Sequence, residues 1–270
     1  MSKFYFLGNT SNSQMMGCVI KTKNQTIVID GGTEQDYPQL ITLLKEISNA
    51  KVDAWFLTHM HHDHIGAFVK CVENGGVFIK NIYLNIPKLE DIIKYDERNL
   101  SEFEINQLEK IYSYFSTSNC LNIVQKGDKF IFDETEIEIL RVYNPQIKVN
   151  FINNSSMVFK VQGAKKSVLI LGDLGEEGGD ETLKINDISS LKTDYTQLAH
   201  HGQNGVRKEF YQKIQPKICL WAAPVWLWEN NIGGGFDSGP FNTVRTREWM
   251  EEIGVEGHLI EKDGTTEFEI

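Results

Sequence analysis

Histidine clustering is the feature that most constrains this chain. Six of its seven histidines fall in two short segments, at positions 59–64 and at His200-His201, and only His258 stands apart. Four imidazoles so close together would repel one another when protonated, so the first segment needs a compensating ligand. Neutral imidazole nitrogen and carboxylate oxygen are good ligands for zinc and similar cations. The first segment therefore predicts a metal site, whereas the isolated His258 is interpreted as a hydrogen-bonded or solvated residue.

The first histidine segment lies between two predicted elements. The apolar run Val52–Leu57 predicts a buried strand, and Asp63–Glu73 predicts a helix. The loop at the end of such a strand is a common place for a functional site in layered α/β folds.

Alternation within this loop predicts which side chains share a face. His59 and His61 point the same way in an extended chain and can hold one ion. Asp63 and His64 begin the helix, where they can reach a second ion. His62 faces away and is not expected to be a ligand.

Hydrophobic periodicity over the rest of the chain predicts two successive halves, each with strands followed by helices. Such a chain favours sheets packed inside helical layers, and we expect one domain over residues 1–270. A charged, helix-favouring segment at 87–120 is interpreted as an inserted helical pair. Further helices are predicted at Thr182–Leu191, Val206–Ile214 and Val244–Ile253.

Composition limits the partners. The chain has 27 basic and 37 acidic residues, a formal net charge of −10, and no basic run. We therefore expect a small-molecule substrate and no nucleic-acid partner. No apolar stretch is long enough for a signal peptide or a membrane span, and the four cysteines are scattered, which predicts reduced thiols and a cytoplasmic location. The oligomeric state is not predicted.

A longer motif surrounds the first histidines. Thr58-His59-Met60-His61-His62-Asp63-His64-Ile65-Gly66-Ala67 resembles the T-H-x-H-x-D-H-x-G-[GA] signature of the metallo-β-lactamase superfamily. Asp30-Gly31-Gly32, Leu171-Gly172-Asp173 and Leu198-Ala199-His200-His201-Gly202 resemble further landmarks of that family, in the same order. The resemblance extends from about residue 3 to 270 and implies an α/β protein with a four-layered αββα sandwich.

The same resemblance implies a ligand set and a cofactor. The family's pattern places a metal-bridging carboxylate at Asp173, and His200 and/or His201 would complete the shell formed by His59, His61, Asp63 and His64. Two zinc ions are expected, with iron or manganese also compatible with nitrogen and oxygen ligands. Asp63 or Asp173 would accept or relay a proton during metal-assisted hydrolysis.

The chain departs from the family pattern in one respect. Most members have a further histidine ligand before the bridging aspartate, whereas residues 65–172 contain no histidine. Either both His200 and His201 reach the site, or one ion has fewer protein ligands and more water. Asn153, Asn154 or Ser155 could assist, although a capping role is expected for them.

A narrower similarity concerns residues 153–158 together with the two later motifs. It is to the branch containing the metallo-hydrolase domain of the DNA-uptake competence channel and the choline-phosphoesterase domains of cell-wall enzymes. It favours a phosphodiester or phosphate ester as substrate. A lactone or carboxylic ester hydrolase and a non-catalytic metal-binding sensor module are the alternatives. The Trp- and Gly-rich segment 221–239 is either an aromatic substrate wall with a lid or a buried strand with a surface loop.

Overall fold

Two seven-stranded sheets form the centre of the protein in the computed structural model, which describes residues 1–96 and 100–270. The strands are β1 (Lys3–Phe6), β2 (Gly17–Lys21), β3 (Thr26–Asp30), β4 (Lys51–Val52), β5 (Ala54–Phe56), β6 (Phe78–Ile79), β7 (Ile82–Leu84), β8 (Leu121–Ile123), β9 (Lys129–Phe132), β10 (Thr135–Arg141), β11 (Val158–Gln162), β12 (Ser167–Ile170), β13 (Tyr195–Gln197), β14 (Ile218–Trp221), β15 (Gly257–Ile260) and β16 (Thr266–Glu269). The first sheet has the order β16-β1-β2-β3-β5-β7-β8 and the second β15-β14-β13-β12-β11-β10-β9, while β4 and β6 form a small separate pair.

Helices cover the outer faces of both sheets. They are α1 (Tyr37–Ser48), α2 (His62–Asn74), α3 (Leu89–Tyr95), α4 (Glu102–Thr117), α5 (Phe151–Asn154), α6 (Glu176–Ile185), α7 (Ile188–Leu191), α8 (Lys208–Ile214), α9 (Val225–Trp228) and α10 (Thr243–Ile253). None of the helices within the described ranges is both long enough and apolar enough to cross a bilayer.

Three apolar layers separate the sheets and helices. In β3 the side chains of Ile27 and Ile29 pack between the two sheets, whereas Val28 faces the layer beneath the helices of the first half. A third cluster, which includes Leu169, fills the space between the second sheet and its helices. Strands buried on both faces have continuous apolar runs, as β3 does. The layers therefore form the αββα sandwich that the sequence predicts.

Several helices differ in detail from the sequence-based prediction. The segment 87–120 contains α3 and α4 in the connection from β7 to its parallel neighbour β8, and α4 packs on α2. The single helix predicted at Thr182–Leu191 is wrong, because α6 begins earlier, at Glu176, and α7 is separate. In the segment 221–239, Trp221 ends the buried strand β14 and the next residues form the short α9.

Candidate metal centre

The first cluster lies at the carboxyl end of β5, between the parallel strands β3 and β7. His59 and His61 occupy the loop that follows, and α2 begins at His62, so Asp63 and His64 lie in its first turn. All four of these side chains are buried. The loop and the helix N-terminus therefore turn four potential ligands away from solvent, although they come from a polar stretch of sequence.

The second sheet contributes the remaining residues from two parallel strands, β12 and β13. Asp173 follows β12, and His200 and His201 follow β13 in a short 3-10 segment. His200, His201 and Gly202 have consecutive φ values of 51°, 57° and 76°, a left-handed run that reverses the chain. This reversal buries His201 completely.

Two groups of potential ligands share Asp173. Within each group, one atom from every member lies within 4.8 Å of the others. The groups are Asp63, His64, Asp173 and His201, and His59, His61 and Asp173.

Distances around Asp173 show how closely the groups approach. Its Oδ1 lies 3.0 Å from Nε2 of His64, and its Oδ2 lies 3.2 Å from Nε2 of His201 and 3.8 Å from Nε2 of His59. His201 Nε2 is also 3.3 Å from Oδ2 of Asp63. One carboxylate thus faces histidines from both groups.

The donor atoms at this centre fit a divalent cation. Nε2 of His64, Nε2 of His201 and both carboxylate oxygens of Asp173 are buried, yet none has a partner with hydrogen-bond geometry among residues 1–96 and 100–270. Buried polar atoms in native proteins almost always have a partner. Imidazole nitrogens and carboxylate oxygens in this number suit zinc, iron or manganese.

Charges within the centre strongly perturb its titrating groups. Burial favours the neutral form of His201, but the carboxylates of Asp173 and Asp63 outweigh it and raise the pKa to about 10. Burial alone would raise the pKa of each carboxyl group, but His201 and His64 hold both pKa values well below the usual range. Both carboxylates are therefore ionised at neutral pH.

Two groups outside the predicted ligand set fix the orientation of the histidines. Asp30, at the end of β3, lies 2.7 Å through Oδ2 from Nδ1 of His64, and it accepts hydrogen bonds from the backbone and hydroxyl of Thr58. Nδ1 of His201 lies 2.7 Å from the carbonyl oxygen of Ala222. With each Nδ1 occupied, each Nε2 faces the centre, an arrangement typical of metal-ligating histidines. The motif Asp30-Gly31-Gly32 marks Asp30 in the sequence, but its contact with His64 depends on the pairing of β3 with β5.

The structure separates His200 from the groups of potential ligands. Its Nε2 lies 3.9 Å from Oδ2 of Asp173, its Nδ1 lies 3.3 Å from the carbonyl oxygen of Asn204, and it belongs to neither group within the described residues. Among the described residues, only His201 of this pair belongs to a group of potential ligands, and the other group contains three residues. His62 is partly exposed, with Nδ1 3.7 Å from Glu104.

Polar residues elsewhere have structural contacts. Asn154 accepts hydrogen bonds from the backbone of Gly175 and Gly178 at the start of α6. His258 accepts a hydrogen bond from the indole of Trp221 at 2.9 Å, in agreement with its interpretation as a hydrogen-bonded residue.

Comparison with known proteins agrees with this architecture. Residues 18–145 match the sequence model of the metallo-beta-lactamase superfamily. The whole chain also has the fold of a solved metallo-beta-lactamase fold protein, so the match within residues 18–145 and the architecture of the chain agree.

Individual relatives are more distant. The ComE operon protein 3 of Bacillus subtilis (strain 168) is 25% identical over 188 residues, which cover 68% of this chain and 21% of that protein. The chain therefore spans about a fifth of the length of this curated relative. The metallo-beta-lactamase fold protein YhfI from Bacillus subtilis has a TM-score of 0.56 at 14% identity over 99% of each chain. A new diphosphatase from the PhnP family has a TM-score of 0.52 at 12% identity, covering 100% of this chain and 98% of that one.

Proposed function

We propose that this protein is a metal-dependent hydrolase that cleaves a phosphodiester or phosphate ester. The proposal rests on one observation above all: Asp173 is shared by two buried groups of potential ligands, and its oxygens have no partner with hydrogen-bond geometry in the described part of the chain. Paired ions of this kind recur in phosphatases and nucleases, where they lower the pKa of a water and polarise the phosphoryl oxygen. The similarity in fold to a solved diphosphatase also supports a phosphoester substrate.

The ligands follow from the two groups. His59, His61 and Asp173 would hold one ion, and Asp63, His64, His201 and Asp173 would hold the other. Zinc is the expected metal, and iron or manganese would suit the same donors.

The chain's own residues then direct the hydrolysis. Asp63 and Asp173 are the ionised carboxylates that face the centre, so either can accept the proton that the attacking water releases. Asp30 keeps Nδ1 of His64 occupied and so maintains the ring orientation throughout. The hydroxyl from water adds to phosphorus, the ester P–O bond breaks, and the alcohol leaves with the proton.

The experiment is elemental analysis of the purified protein followed by assays on chromogenic phosphodiesters, monoesters, lactones and β-lactams. Two ions per chain with fastest turnover of a phosphoester would support the proposal. Fastest turnover of lactones or carboxylic esters would replace it with the ester-hydrolase alternative. One ion or none, with no turnover, would favour the sensor module.

Replacing Asp173 with asparagine tests the shared carboxylate. Asp173→Asn removes the negative charge that attracts both cations and offsets their mutual repulsion, but leaves the side-chain shape almost unchanged. We expect the variant to lose one of its two ions and to lose about 100-fold or more in kcat. Asp187→Asn, an exposed carboxyl group at the start of α7, should change neither quantity. Unchanged stoichiometry and rate in Asp173→Asn would refute the shared role.

A further inference from the structure

A polar cleft of about 530 Å³ lies beside the metal centre. Its walls come from three parts of the chain: the segment before α5, the start of α6 with the segment after His201, and the start of α10. Its lining includes Glu176, Glu177, Gln203, Asn204, Asn242 and Trp249.

His200 connects this cleft with the centre. Its Nε2 lies 3.9 Å from Oδ2 of Asp173, and its Nδ1 lies 3.3 Å from the carbonyl oxygen of Asn204 in the cleft wall. A single imidazole ring therefore separates the shared carboxylate from the cleft. Glu177 lies only four positions after Asp173, in the first turn of α6. The wall of the cleft therefore contacts a ring that itself adjoins the shared carboxylate.

Gln203 is the observation that points to a ligand. Only 6% of the residue is exposed, but its side-chain amide belongs to that exposed part, lines the cleft and makes no hydrogen bond with any residue in the described part of the chain. Such an amide offers one acceptor and two donors toward the cleft. A ligand with hydroxyl groups can satisfy both kinds of atom.

Other amides extend the same surface. Nδ2 of Asn242 donates to Oδ1 of Asn204 at 2.8 Å, which ties the start of α10 to the segment after His201. This bond leaves Nδ2 of Asn204 and Oδ1 of Asn242 without a partner among the described residues. The cleft thus offers further donors and acceptors at its mouth.

Charge in the cleft argues against an anionic ligand. The lining includes Glu176 and Glu177 but neither lysine nor arginine among the described residues. Glu176 forms an ion pair with Arg207 at 2.8 Å, and Glu177 accepts a hydrogen bond from Asn154 at 3.1 Å. The ion pair offsets the charge of Glu176, and the hydrogen bond engages an oxygen of Glu177, so amides are the larger set of polar groups in the cleft.

We propose that this cleft binds an uncharged, hydroxyl-rich group, a sugar or polyol, carried by the ester whose phosphoryl group lies at the metal centre. Hydroxyl groups would bond the amides of Gln203, Asn204 and Asn242, and the half-buried ring of Trp249 would supply an apolar face. The proposal rests on the proposed function, because it names the alcohol part of that substrate.

The kinetic test uses p-nitrophenyl phosphodiesters that differ only in the second alcohol: ethanol, glycerol, glucose through its 6-hydroxyl, choline, and thymidine through its 5′-hydroxyl. We expect kcat/KM for the glucose or glycerol diester to exceed that of the ethyl diester by about 10-fold, the value of one or two neutral hydrogen bonds. Gln203→Ala, and separately Asn242→Ala on the opposite wall, should reduce this ratio toward one. Gln162→Ala, an exposed amide on β11, should preserve it.

The other kinetic outcomes overturn the proposal. Equal rates for all the diesters would show that the cleft contributes no recognition. Preference for the choline diester would assign a cationic group, and preference for thymidine over both glucose and glycerol would assign a nucleoside.

Direct binding separates failure of the cleft from failure of the proposed function. Saturation-transfer NMR on the purified protein, with methyl glucoside and glycerol as probes, does not require turnover. One outcome is that no diester is hydrolysed, a probe binds, and Gln203→Ala removes its signal. That outcome would contradict the proposed function but support the cleft as a binding site for hydroxyl-rich groups. If neither probe gives a signal and no diester ratio exceeds one, the assignment is wrong.

Discussion

At the scale of single residues, the centre is stabilised by carboxylates that each contact an imidazole. Asp30 and Asp173 lie on opposite sides of His64, at 2.7 Å from Nδ1 and 3.0 Å from Nε2. Burial opposes a charge on this ring, but the two carboxylates outweigh it and raise its pKa well above the ordinary value. The imidazolium form thus neutralises buried negative charge when no metal is bound. A metal must displace that proton, which couples its binding to pH.

Replacing Asp30 with asparagine should weaken metal binding without removing a ligand. In Asp30→Asn the new side chain would retain one oxygen for Thr58 but would present a donor amide to Nδ1 of His64 or lose that contact. We expect metal affinity to fall by about 10- to 100-fold, as for other groups that orient ligating histidines. Competition with a chelator measures this directly. The matched control is Asp53→Asn. The Asp53 carboxylate accepts a hydrogen bond from the backbone of Thr26, which lies on the same strand as Asp30. Equal affinities in the two variants would contradict the orienting role.

A second buried carboxyl group, that of Glu261, should make the free energy of unfolding depend on pH. The residue is fully buried, and neither carboxylate oxygen accepts a hydrogen bond of normal geometry from the residues that the structure describes. Burial raises the pKa of this carboxyl group well above the ordinary value. Below the ordinary pKa of glutamate the folded and unfolded chains both hold the proton. As the pH rises further, the unfolded chain releases it first, so the free energy of unfolding decreases.

Glu261→Gln should remove this decrease, because the neutral amide does not titrate. We expect the variant to be more stable than the parent at pH 8 by about 1–3 kcal/mol and to show a much smaller difference at pH 4. Urea denaturation at the two pH values provides the measurement. Glu256→Gln, at an exposed position, should match the parent at both. A parent protein as stable at pH 8 as Glu261→Gln would contradict the prediction.

At the scale of elements, local pattern predicts the strands of the first half well. β1, β2 and β3 lie within a residue or two of the apolar runs, because tight turns and continuous burial leave a clear pattern. The pattern does not predict the start of α6, because Gly178 and Gly179 disfavour a helix. A β-carbon at Gly179 would lie 2.7 Å from Val206, so packing, which sequence alone does not show, explains this glycine.

In the candidate site, too, some features follow from local sequence and others depend on the folded structure. The motif around His59 predicts its own four ligands because they are neighbours along the chain. The difference between His200 and His201 depends instead on the left-handed run, after which only His201 of the two belongs to a group of potential ligands among the described residues, and residue spacing carries no sign of that run.

Gly202→Ala tests the left-handed run. Gly202 has a φ of 76°, and a β-carbon there would lie 2.3 Å from Cζ3 of the buried Trp221. We expect the substitution to lower the free energy of unfolding by roughly 2–4 kcal/mol through backbone strain and overpacking. It should also reduce the metal content, because His201 is the preceding residue. Chemical denaturation and elemental analysis measure the two effects.

The matched control is Gly257→Ala in β15, where a β-carbon would meet no atom within 4 Å. Its stability should stay within about 0.5 kcal/mol of the parent. If Gly202→Ala were equally stable and bound metal normally, the reversal would not depend on glycine.

At the scale of the whole molecule, the apolar core and the metal centre are separate sources of stability. The three apolar layers lie between and outside the sheets, and none depends on the residues of the centre. The centre itself joins the two sheets, because His59, His61, Asp63 and His64 follow a strand of the first sheet, and Asp173 and His201 follow strands of the second. Bound metal would therefore connect the halves of an already folded protein.

Removal of the metal with EDTA should consequently lower the melting temperature without unfolding the chain. In the metal-free protein the imidazolium forms of His64 and His201 offset the charges of Asp63 and Asp173, so the buried centre is not left with unpaired carboxylates. At a thousand-fold excess of metal over its dissociation constant, the lost stabilisation is about 4 kcal/mol. For a chain of this size that corresponds to a decrease of about 10 °C. Differential scanning fluorimetry measures the shift, and far-UV circular dichroism at 25 °C should remain unchanged. Asp173→Asn should show a smaller shift, and added zinc should restore the parent's value. Loss of the far-UV signal on chelation would instead show that the two sheets need the metal in order to pack.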